Sequence, residues 1–356
     1  MAFAGVVAIA AASTLCLSGC ANIGYYWQSA SGHLQMMAAA RPVGDWLGDT
    51  TAPERLRSRL ALSQRIRNFA VSELKLPDNP SYRRYADLHR TAVIWNVVAA
   101  PRYSITLRKS CFPITGCVGY RGYFDENEAR EEAERLKAQG LESSVYPVPA
   151  YSTLGWMNWA GGDPLLNTFI NYPEGELARL IFHELAHQVL YVKDDTTFNE
   201  SFATAVERLG GARWLATQAS ETARKEYAQY NARRNQFRAL VQATRTRLDK
   251  IYKDTAGDER EAGKQAAMRE FREQYAQLRA SWPGPATRYR SYDKWVAEAN
   301  NASFGAQAAY DELVPGFEAL FAREGGDWQR FYDAARRLEA LPRNQRHQIL
   351  KEIGGA

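Results

Sequence analysis

One five-residue run constrains the fold of this 356-residue chain more than any other feature of its sequence. The run reads HELAH at residues 183–187 and lies in a segment, Glu174 to Val192, whose apolar residues recur at helical spacing. On a helix, two imidazoles four positions apart share one face and can point at one ion, and Glu184 lies beside them. The run therefore predicts half of a zinc site, against the alternative of a surface helix that spells the same letters by chance.

The third ligand must come from elsewhere, because a catalytic zinc usually has three protein ligands and one position open to water. Glu200 is the best candidate, since it opens a second helical pattern that runs to Leu209 and is stopped by Gly210-Gly211. A polar turn at residues 193–197 lets this second helix fold back antiparallel to the first. The predicted ligands of a single zinc ion are therefore His183, His187 and Glu200.

The second helix leaves other interpretations open. Glu200 could instead be an ordinary solvated glutamate, and Glu207 is the rival third ligand if the turn is tighter. Thr204, one helical turn after Glu200, could hydrogen-bond the far nitrogen of a ligand histidine and fix its tautomer.

A zinc ion in this setting predicts hydrolysis. Zinc lowers the pKa of its bound water to about 7, while Glu184 takes the proton as general base and later passes it to the leaving amine. A further donor must stabilise the developing oxyanion, and Tyr310 is the candidate from the downstream region. Peptide hydrolysis fits best, and hydrolysis of other esters or amides stays open because the ion polarises those carbonyls as well.

The motifs resemble known proteins at two levels. An HExxH helix completed by a glutamate of an NE-containing motif on the next helix is similar to the gluzincin branch of zinc metallopeptidases, at a shorter spacing than in thermolysin-like enzymes. More of the chain resembles a bacterial family of "putative aminopeptidase" lipoproteins, which implies aminopeptidase activity on a peptide substrate and a zincin-like core. The segments that carry this resemblance are LPDN at 76–79, WNVVAAP at 95–101, GCVGYRGYF at 116–124, AYSTLGW at 150–156, DPLLNT at 163–168, FHELAHQ at 182–188 and FNESFAT at 198–204.

Residues 1–19 are uncharged and mostly small or apolar, and they lead to Cys20. The run is too short for a spanning helix, so we expect a signal peptide that takes no part in the fold. The pattern Leu17-Ser18-Gly19-Cys20 resembles a bacterial lipobox, which implies cleavage before Cys20, acylation of its sulfur and attachment to a bacterial membrane. Ala21 resembles the pattern of outer-membrane sorting, so the expected location is the periplasm.

Two further cysteines, Cys111 and Cys117, flank a turn-rich loop. An oxidising periplasm favours a disulfide between them, and closing so small a loop stabilises the fold by about 2 kcal/mol. No histidine lies near them in the sequence and the spacing is not CxxC, which argues against a metal or redox site.

The composition is that of an ordinary globular protein, with 46% hydrophobic and 24% charged residues and a net charge of +5. The densest basic stretch, residues 55–67, has apolar residues interleaved at helical spacing, which favours a solvated helix face over a phosphate-binding stripe. No nucleic-acid-binding module accompanies it, so no nucleic-acid partner is expected.

The remaining patterns predict an α+β, predominantly helical fold. Strand-like segments at Val93–Ala99, Tyr103–Leu107 and Ser143–Tyr151 indicate a small mixed β-sheet, with a helix at Asp125–Ala138 against it. Helical patterns at Thr217–Asp254 and Arg260–Ser281 predict a long antiparallel hairpin, which is long enough to project beyond the body and could shield the cleft, bind a protein partner or reach toward the envelope surface. The predicted regions are a signal peptide at 1–19, a lipid anchor and tether at 20–32, a zincin-like metal-binding region at 33–215, the hairpin at 216–285 and C-terminal helices packed on the catalytic core at 286–356.

The strand-like segment Tyr146–Trp156 has two interpretations. In peptidases of the class that this chain resembles, an exposed edge strand near the metal holds the substrate by β-augmentation; otherwise the segment is simply another sheet strand. Trp156 and Trp159 could wall a specificity pocket, although aromatic residues more often pack in the core. On the first interpretation the substrate-binding residues are Tyr151, Ser152, Thr153, Leu154 and Gly155.

The sequence thus favours a lipid-anchored zinc peptidase with Glu184 and Tyr310 as catalytic residues. The alternative is a non-catalytic, zinc-containing lipoprotein that acts as a binding or scaffold protein through its helical hairpin. The complete HExxH run, which retains Glu184, argues against this alternative.

Overall fold

The computed structural model describes residues 24–112, 116–150, 152–307 and 312–355. These residues form a predominantly helical molecule with three small sheets, so the α+β class expected from the sequence is confirmed. The helices are α1 (24–39), α2 (Val43–Gly48), α3 (Glu54–Ser72), α4 (Glu126–Lys137), α5 (Glu174–Ala186), α6 (Thr196–Thr217), α7 (Glu221–Asp254), α8 (Gly257–Ala280), α9 (Arg290–Glu298), α10 (Asn301–Ala306), α11 (Val314–Arg323), α12 (Trp328–Glu339) and α13 (Arg343–Gly354).

The strands are short and pair into separate sheets. They are β1 (Arg41–Pro42), β2 (Arg84–Ala86), β3 (Ile94–Pro101), β4 (Ser110–Phe112), β5 (Gly116–Val118), β6 (Arg121–Tyr123), β7 (Leu141–Val148) and β8 (Leu165–Leu166). In one sheet β3 pairs antiparallel with both β6 and β7, and in a second, mixed sheet β2 lies between antiparallel β1 and parallel β8. The strands β4 and β5 form a hairpin of their own.

The central strand β3 is buried because helices cover both of its faces. Ala129 and Ala133 of α4 pack on one face, and Ala302 of α10 packs against Val98 on the other. Asp125 caps the first turn of α4 by accepting hydrogen bonds from two backbone amides, as the acidic start of this segment predicted. The sheet therefore lies inside the molecule, apart from its outer edges.

The segment Tyr103–Leu107 is an irregular connection, so the strand predicted there is wrong. Tyr103 and Ile105 pack against the core between α7 and α8, and a β-carbon at Gly305 would come within 2.6 Å of the carbonyl oxygen of Ile105. Helices therefore bury the apolar side chains that suggested a strand, and no neighbouring strand is needed to do so.

The helix that carries HELAH, α5, is buried along most of its length. Pro173 precedes its first turn, and Leu177, Ile181 and Leu185 are fully buried. Burying each such side chain contributes about 1.5–3 kcal/mol, so packing fixes this helix firmly in the core. The interpretation as an ordinary surface helix is excluded.

Antiparallel packing joins α6 to α5. Contrary to the sequence prediction, α6 continues through Gly210 and Gly211 to Thr217. A β-carbon at Gly210 would come within 3.1 Å of the Phe182 ring, and one at Gly211 would come within 2.6 Å of the Arg179 side chain. The glycines let the two helices approach closely, and this packing offsets the low helix propensity of glycine.

The hairpin of α7 and α8 packs on the rest of the molecule, although its length would allow it to project beyond the body. The Tyr227 hydroxyl of α7 bonds to Arg179 of α5 at 2.9 Å. Lys264 of α8 pairs with Glu142 of β7. Polar contacts therefore fix the hairpin both to the helix that carries HELAH and to the sheet.

The C-terminal helices divide between two cores. Val296 of α9 and Phe304, in α10, join the core of the hairpin. The helices α11–α13 pack beside α6, where the Phe317 ring lies 5.1 Å from that of Phe198 and 5.5 Å from that of Phe202.

The helix α1 covers residues 24–32, which the sequence analysis had assigned to a tether. The ring of Tyr25 packs edge-on against the ring of Tyr123, with 5.5 Å between their centroids. The Arg121 guanidinium lies 3.9 Å from the centroid of the Tyr25 ring. These contacts hold the segment on the sheet. The predicted signal peptide and Cys20 lie outside the described residues, and no helix within them is long and apolar enough to cross a membrane.

Asp195, at the start of α6, links the C-terminal helix to the helix pair. Its side chain is fully buried, accepts a hydrogen bond from the Phe198 amide and lies 2.8 Å from the Arg346 guanidinium. His347 lies 2.9 Å from the same carboxylate. The carboxylate thus caps one helix and neutralises a buried cation from another.

Replacing Asp195 by Ala should reduce the free energy of unfolding by about 3 kcal/mol or more, because it leaves Arg346 buried without its counter-charge. Asp327→Ala is the matched control, since Asp327 caps α12 at a half-exposed site and should lose only about 1 kcal/mol. Urea unfolding measures both. Equal losses in the two variants would contradict a role for the buried ion pair.

Candidate metal centre

The three predicted ligands converge between α5 and α6. Nε2 of His183 lies 3.2 Å from Nε2 of His187. The carboxylate oxygens of Glu200 lie 3.4 Å from the first of these nitrogens and 3.9 Å from the second. All three ligand atoms fall within 4.8 Å of one another, so they could hold one metal ion.

These separations suit a tetrahedral zinc ion. Zinc bonds to nitrogen and oxygen of about 2.0–2.2 Å place tetrahedral ligands roughly 3.3–3.5 Å apart. Two of the three observed separations, 3.2 Å and 3.4 Å, are close to this value, and a small movement of Glu200 shortens the third. Two imidazoles and one carboxylate also form a set that leaves a fourth position for water.

The residue before Glu200 explains why its side chain faces the histidines. Asn199 accepts a hydrogen bond from the Val192 amide at 2.8 Å and donates one to the Val192 carbonyl at 2.7 Å. These two bonds close the turn after α5 and fix the first turn of α6. The asparagine of the NE pair thus sets the register in which Glu200 meets the histidines.

Glu207 lies on the opposite side of the His183 ring from Glu200, so it is outside the cluster of three ligand atoms. The distance from its Oε2 to Nδ1 of His183 is 3.1 Å, which is that of an ion pair. The angle at Nδ1 does not meet the geometry of a hydrogen bond. Its Oε1 accepts from buried Arg179. The chain of contacts from His183 through Glu207 to Arg179 orients the imidazole from behind, as outer carboxylates do in metal sites.

Thr204, which the sequence analysis assigned to this supporting position, makes no hydrogen bond to either histidine in the described part of the chain. It is buried in the cleft wall. A glutamate two helical turns after Glu200 projects from nearly the same face and has a longer side chain, so Glu207 reaches the ring where threonine does not. That spacing was visible in the sequence, but it places Thr204 and Glu207 on nearly the same face and does not choose between them.

Burial and the carboxylates act in opposite directions on the two histidines. Burial alone would lower the pKa of His183, but Glu200 and Glu207 outweigh it and raise that pKa well above its usual value. Burial lowers the pKa of His187 to about 4. The two carboxylates thus favour a positive charge here, which a metal ion can supply in place of a proton.

Glu184 lines the same cleft as His183. Burial, reinforced by the carboxylates of Glu200 and Asp163, raises the pKa of Glu184 to about 7. A carboxyl group that titrates near neutral pH can both accept and return a proton. Glu184 therefore has the acid–base character that a general base needs.

Three tyrosines interact electrostatically with Glu200: Tyr120, Tyr146 and Tyr191. The phenol of Tyr120 also interacts with Glu184, and burial together with these carboxylates raises its pKa well above the usual value. It therefore stays protonated and able to donate a hydrogen bond. Tyr120 lies in the GCVGYRGYF segment that carries the resemblance, but no local pattern in the sequence marks it as a site residue.

A cleft of about 420 Å³ opens beside His183 and Glu184. The helices α5 and α6 form one wall, Phe237 and Arg238 of α7 contribute to the other, and residues 148–150 close one end. The hairpin therefore takes part in shaping the cleft.

The predicted substrate-binding segment is not an extended strand. The strand β7 ends at Val148, and the positive φ angles of Leu154 (56°) and Gly155 (80°) turn the chain. Tyr151 lies outside the described residues, and Trp156 and Trp159 are exposed. The other four predicted substrate-binding residues lie within the described part of the chain, and none of them lines the cleft: Ser152, Thr153, Leu154 and Gly155.

The outer edge of β7 is also poorly suited to pair with a peptide strand. The Val148 carbonyl accepts a hydrogen bond from the Val93 amide, so the backbone of Val148 faces β3. Alternate residues face the other way, so the backbones of Pro147 and Pro149 face the outer edge, where proline offers no N–H donor. At the other end, Asn300 bonds to the Ser143 carbonyl. The edge is thus partly protected, which argues against β-augmentation on β7.

The predicted disulfide between Cys111 and Cys117 is present and crosses the β4–β5 hairpin. The Cys117 amide donates to Oδ1 of Asp194 at 2.5 Å, so the hairpin packs on the turn between α5 and α6.

Tyr310, the predicted oxyanion donor, lies outside the described residues.

Asp163 fixes the loop that follows β7. Both of its carboxylate oxygens accept from the Thr153 amide at 3.1 Å, and its backbone bonds to Ser81 and Tyr82. Burial raises the pKa of Asp163 to about 6.

A family model described as "Putative aminopeptidase" matches residues 24–350. The matched range contains the two histidines, Glu184 and Glu200. No curated protein and no solved structure matches the chain.

Replacing Glu207 by Gln should weaken zinc binding by roughly 10- to 100-fold, because the ring of His183 loses the carboxylate that orients it. Thr204→Val tests the residue that the sequence favoured and should have a smaller effect. Titration against a competing chelator measures both affinities. A larger loss in the Thr204 variant would refute the role assigned to Glu207.

Asp163→Asn should remove one component of the pH dependence of stability. Because its folded-state pKa is raised from 3.8 to about 6, Asp163 contributes stability that is present below pH 3.8 and is lost as pH rises through 6. The wild type should therefore lose about 3 kcal/mol relative to the variant over this range. Urea unfolding at stepped pH measures the difference, and Asp87→Asn, at an exposed carboxyl, controls for net charge. A constant difference between wild type and variant would contradict the raised pKa.

Proposed function

The chain belongs to the family described as "Putative aminopeptidase", and from this premise we propose that it is a zinc-dependent hydrolase of peptide bonds. The observation that carries the proposal is the convergence of three donor atoms within 4.8 Å beside a cleft that Glu184 also lines. A purely structural zinc site would be closed by a fourth protein ligand, whereas the described residues supply three.

The proposed roles follow from the contacts of each side chain. His183, His187 and Glu200 hold the metal, and Glu207 keeps the His183 ring in place. When bound, zinc would lower the pKa of a coordinated water and polarise the scissile carbonyl. Glu184 takes up the proton of the attacking water and delivers it to the departing amine, which its near-neutral pKa suits.

Tyr120 is the proposed hydrogen-bond donor to the oxyanion. Its partly buried phenol interacts electrostatically with both Glu200 and Glu184, and it remains protonated. A donor that is already oriented before reaction costs little reorganisation, which is why such groups contribute strongly to catalysis.

We further propose that the protein acts in the bacterial periplasm, held to the membrane through Cys20. The bridge between Cys111 and Cys117 supports an oxidising compartment. Tyr26 and Trp27 are exposed at the start of α1, shortly after the proposed anchor, and aromatic side chains suit a membrane interface.

Substituting Glu184 by Gln should leave the zinc content at one ion per chain and reduce peptide hydrolysis by at least ~100-fold, since the general base is lost and the ligands remain. His187→Ala is the matched control and should lose the metal together with activity. Elemental analysis and mass spectrometry of an unbiased peptide library give the two readouts. Full activity in the Glu184 variant would rule out the mechanism.

The same library distinguishes the two modes of cleavage. Removal of successive N-terminal residues is the expected result for an aminopeptidase. Internal cuts would retain the hydrolase proposal and reject the exopeptidase part of it.

A further inference from the structure

Exposed apolar side chains are concentrated in a few segments of this molecule. The large hydrophobic residues that are exposed in the described part of the chain all belong to α1, α2 or the loop after β7: Tyr26, Trp27, Leu34, Leu47, Trp156 and Trp159. The side chain of Trp27 is 75% exposed, and that of Trp159 is 83% exposed. A single exposed apolar residue is ordinary on a protein surface, whereas such a concentration marks an interaction site.

The exposed apolar residues of α1 form a stripe along one side of the helix. Trp27, Ala30 and Leu34 are exposed and follow the i, i+3, i+7 spacing of one helix face. Residues 24–39 include no lysine, arginine, aspartate or glutamate. The opposite side packs closely on the protein, since a β-carbon at Gly32 would overlap the ring of Phe124. An uncharged helix with its apolar stripe outward is suited to lie at the boundary between lipid headgroups and acyl chains.

The loop that carries the two other exposed tryptophans lies beside the C-terminal end of α1. A β-carbon at Gly161 would come within 2.7 Å of a guanidinium nitrogen of Arg84. The same guanidinium donates hydrogen bonds to the carbonyls of Met37 and Ala40, where α1 ends. The base of the loop therefore adjoins the apolar stripe, although the two are remote in the sequence.

Hydrogen bonds hold this loop in place. The Ser81 hydroxyl donates to Oδ1 of Asn158 at 3.0 Å, and the Thr153 amide donates to the Asp163 carboxylate at 3.1 Å. Neither tryptophan of the loop belongs to a hydrophobic core of the described residues. The loop thus presents its tryptophans outward from fixed ends, and no packing inside the described part of the molecule requires them.

A pocket of about 230 Å³ opens at the N-terminal end of α1, and its charged lining is mostly basic. The side chains that matter for its charge are four cations and one carboxylate, and Tyr26 borders them: Arg108, Lys109, Arg121, Arg135, Glu132 and Tyr26. The pair formed by Arg135 and Glu132 is neutral, so three cations remain. Because Tyr26 also belongs to the exposed apolar set, the pocket adjoins the start of the stripe.

Two cations of this pocket have no carboxylate partner within the described ranges. Arg108 is exposed and donates to the neutral amide of Gln139 at 2.7 Å. Lys109 is also exposed and forms no ion pair with any described residue. Accessible cations beside interfacial aromatic residues are complementary to the phosphate groups of an anionic membrane.

The position of this surface in the chain favours a bilayer as its partner. Cys20 precedes the first described residue of α1 by four positions. Because each residue spans at most about 3.5 Å, an acyl chain on Cys20 would bring the start of α1 to within about 14 Å of the membrane surface. Both the stripe and the basic pocket begin at that end of α1.

We propose that α1 and the loop of residues 152–162 form a membrane-docking face, and that the pocket beside it binds the phosphate of an anionic phospholipid. The inference rests on the proposed anchoring through Cys20 and goes beyond it. An anchor at one residue tethers the protein without orienting it, whereas the docking face determines which side of the molecule meets the bilayer.

The test uses the processed chain, residues 20–356, with Cys20→Ser, because this chain retains the whole described fold and carries no acyl group. Cosedimentation measures its partition onto vesicles of phosphatidylcholine, with and without phosphatidylglycerol. Partition onto the anionic vesicles should be about tenfold stronger at low salt, and high salt should abolish the difference.

In this background, Trp27→Ser and Trp159→Ser should each weaken partition onto both kinds of vesicle by about tenfold, because each removes a large apolar side chain from the interface. Trp159→Phe should retain most of the binding, since an aromatic ring remains. Urea unfolding of each variant verifies that it folds. Unchanged partition in both serine variants would overturn the docking face.

Arg108→Gln should weaken partition onto the anionic vesicles alone, by about fivefold, because one cation near an anionic surface contributes about 1 kcal/mol. Arg247→Gln is the matched control, since it removes a positive charge that pairs with Glu270 on the helical hairpin. The control should leave both partitions unchanged. If the pocket binds inorganic phosphate in a calorimeter, and anionic vesicles are not preferred, the lipid is rejected as its ligand.

Two further measurements separate this inference from its alternatives. Mass spectrometry of the full chain from bacterial membranes tests the anchor: an unmodified Cys20 with vesicle binding intact rejects the anchor and retains the docking face. An acylated Cys20 with no vesicle binding by the serine variant does the reverse. A dimer in analytical ultracentrifugation that Trp27→Ser abolishes, without vesicle binding, would assign the face to a second copy of the chain and overturn the lipid.

Discussion

One buried chain of charges holds the candidate metal centre in place. It runs from His183 to Glu207, from there to Arg179, and on through Glu176 to Arg234. Its members come from α5, α6 and α7, so the metal-binding face and the hairpin are parts of one network. Removing one partner of a buried ion pair typically costs about 3–5 kcal/mol, so separating any one of these helices from the network would be costly.

The same network sets the chemistry of the centre. Two carboxylates lie 3.1 Å and 3.4 Å from His183, whereas Glu200 alone approaches His187, at 3.9 Å, and this asymmetry makes their proton affinities differ. A cation placed among the three donors would pair directly with Glu200, whereas Glu207 would act on it only through the His183 ring. Glu184, just beside them, is buried without a cation of its own except His183, and its pKa is therefore raised toward neutrality.

Local patterns predicted most of the helices and three side chains that converge between α5 and α6. The spacing of HELAH, the acidic start of α4 and the apolar seam of the hairpin all depend on neighbours within one or two turns. Where the sequence analysis failed, the deciding contacts were distant. Gly210 and Gly211 were interpreted as a helix stop, but they face α5 and Leu74 at close range and the helix continues. The Tyr103–Leu107 segment was interpreted as a strand, but helices bury it.

The sequence by itself determined that His183, Glu184 and His187 lie on one turn of an amphipathic helix, because helical periodicity requires it. The short polar turn after this helix also indicated that Glu200 folds back toward the two histidines. Only the tertiary structure decided that Glu207, rather than Thr204, lies behind His183, that prolines protect the edge of β7, and that α7 walls the cleft. Each of these depends on how far a side chain reaches across an interface, and that distance is fixed by the packing of elements remote in the chain.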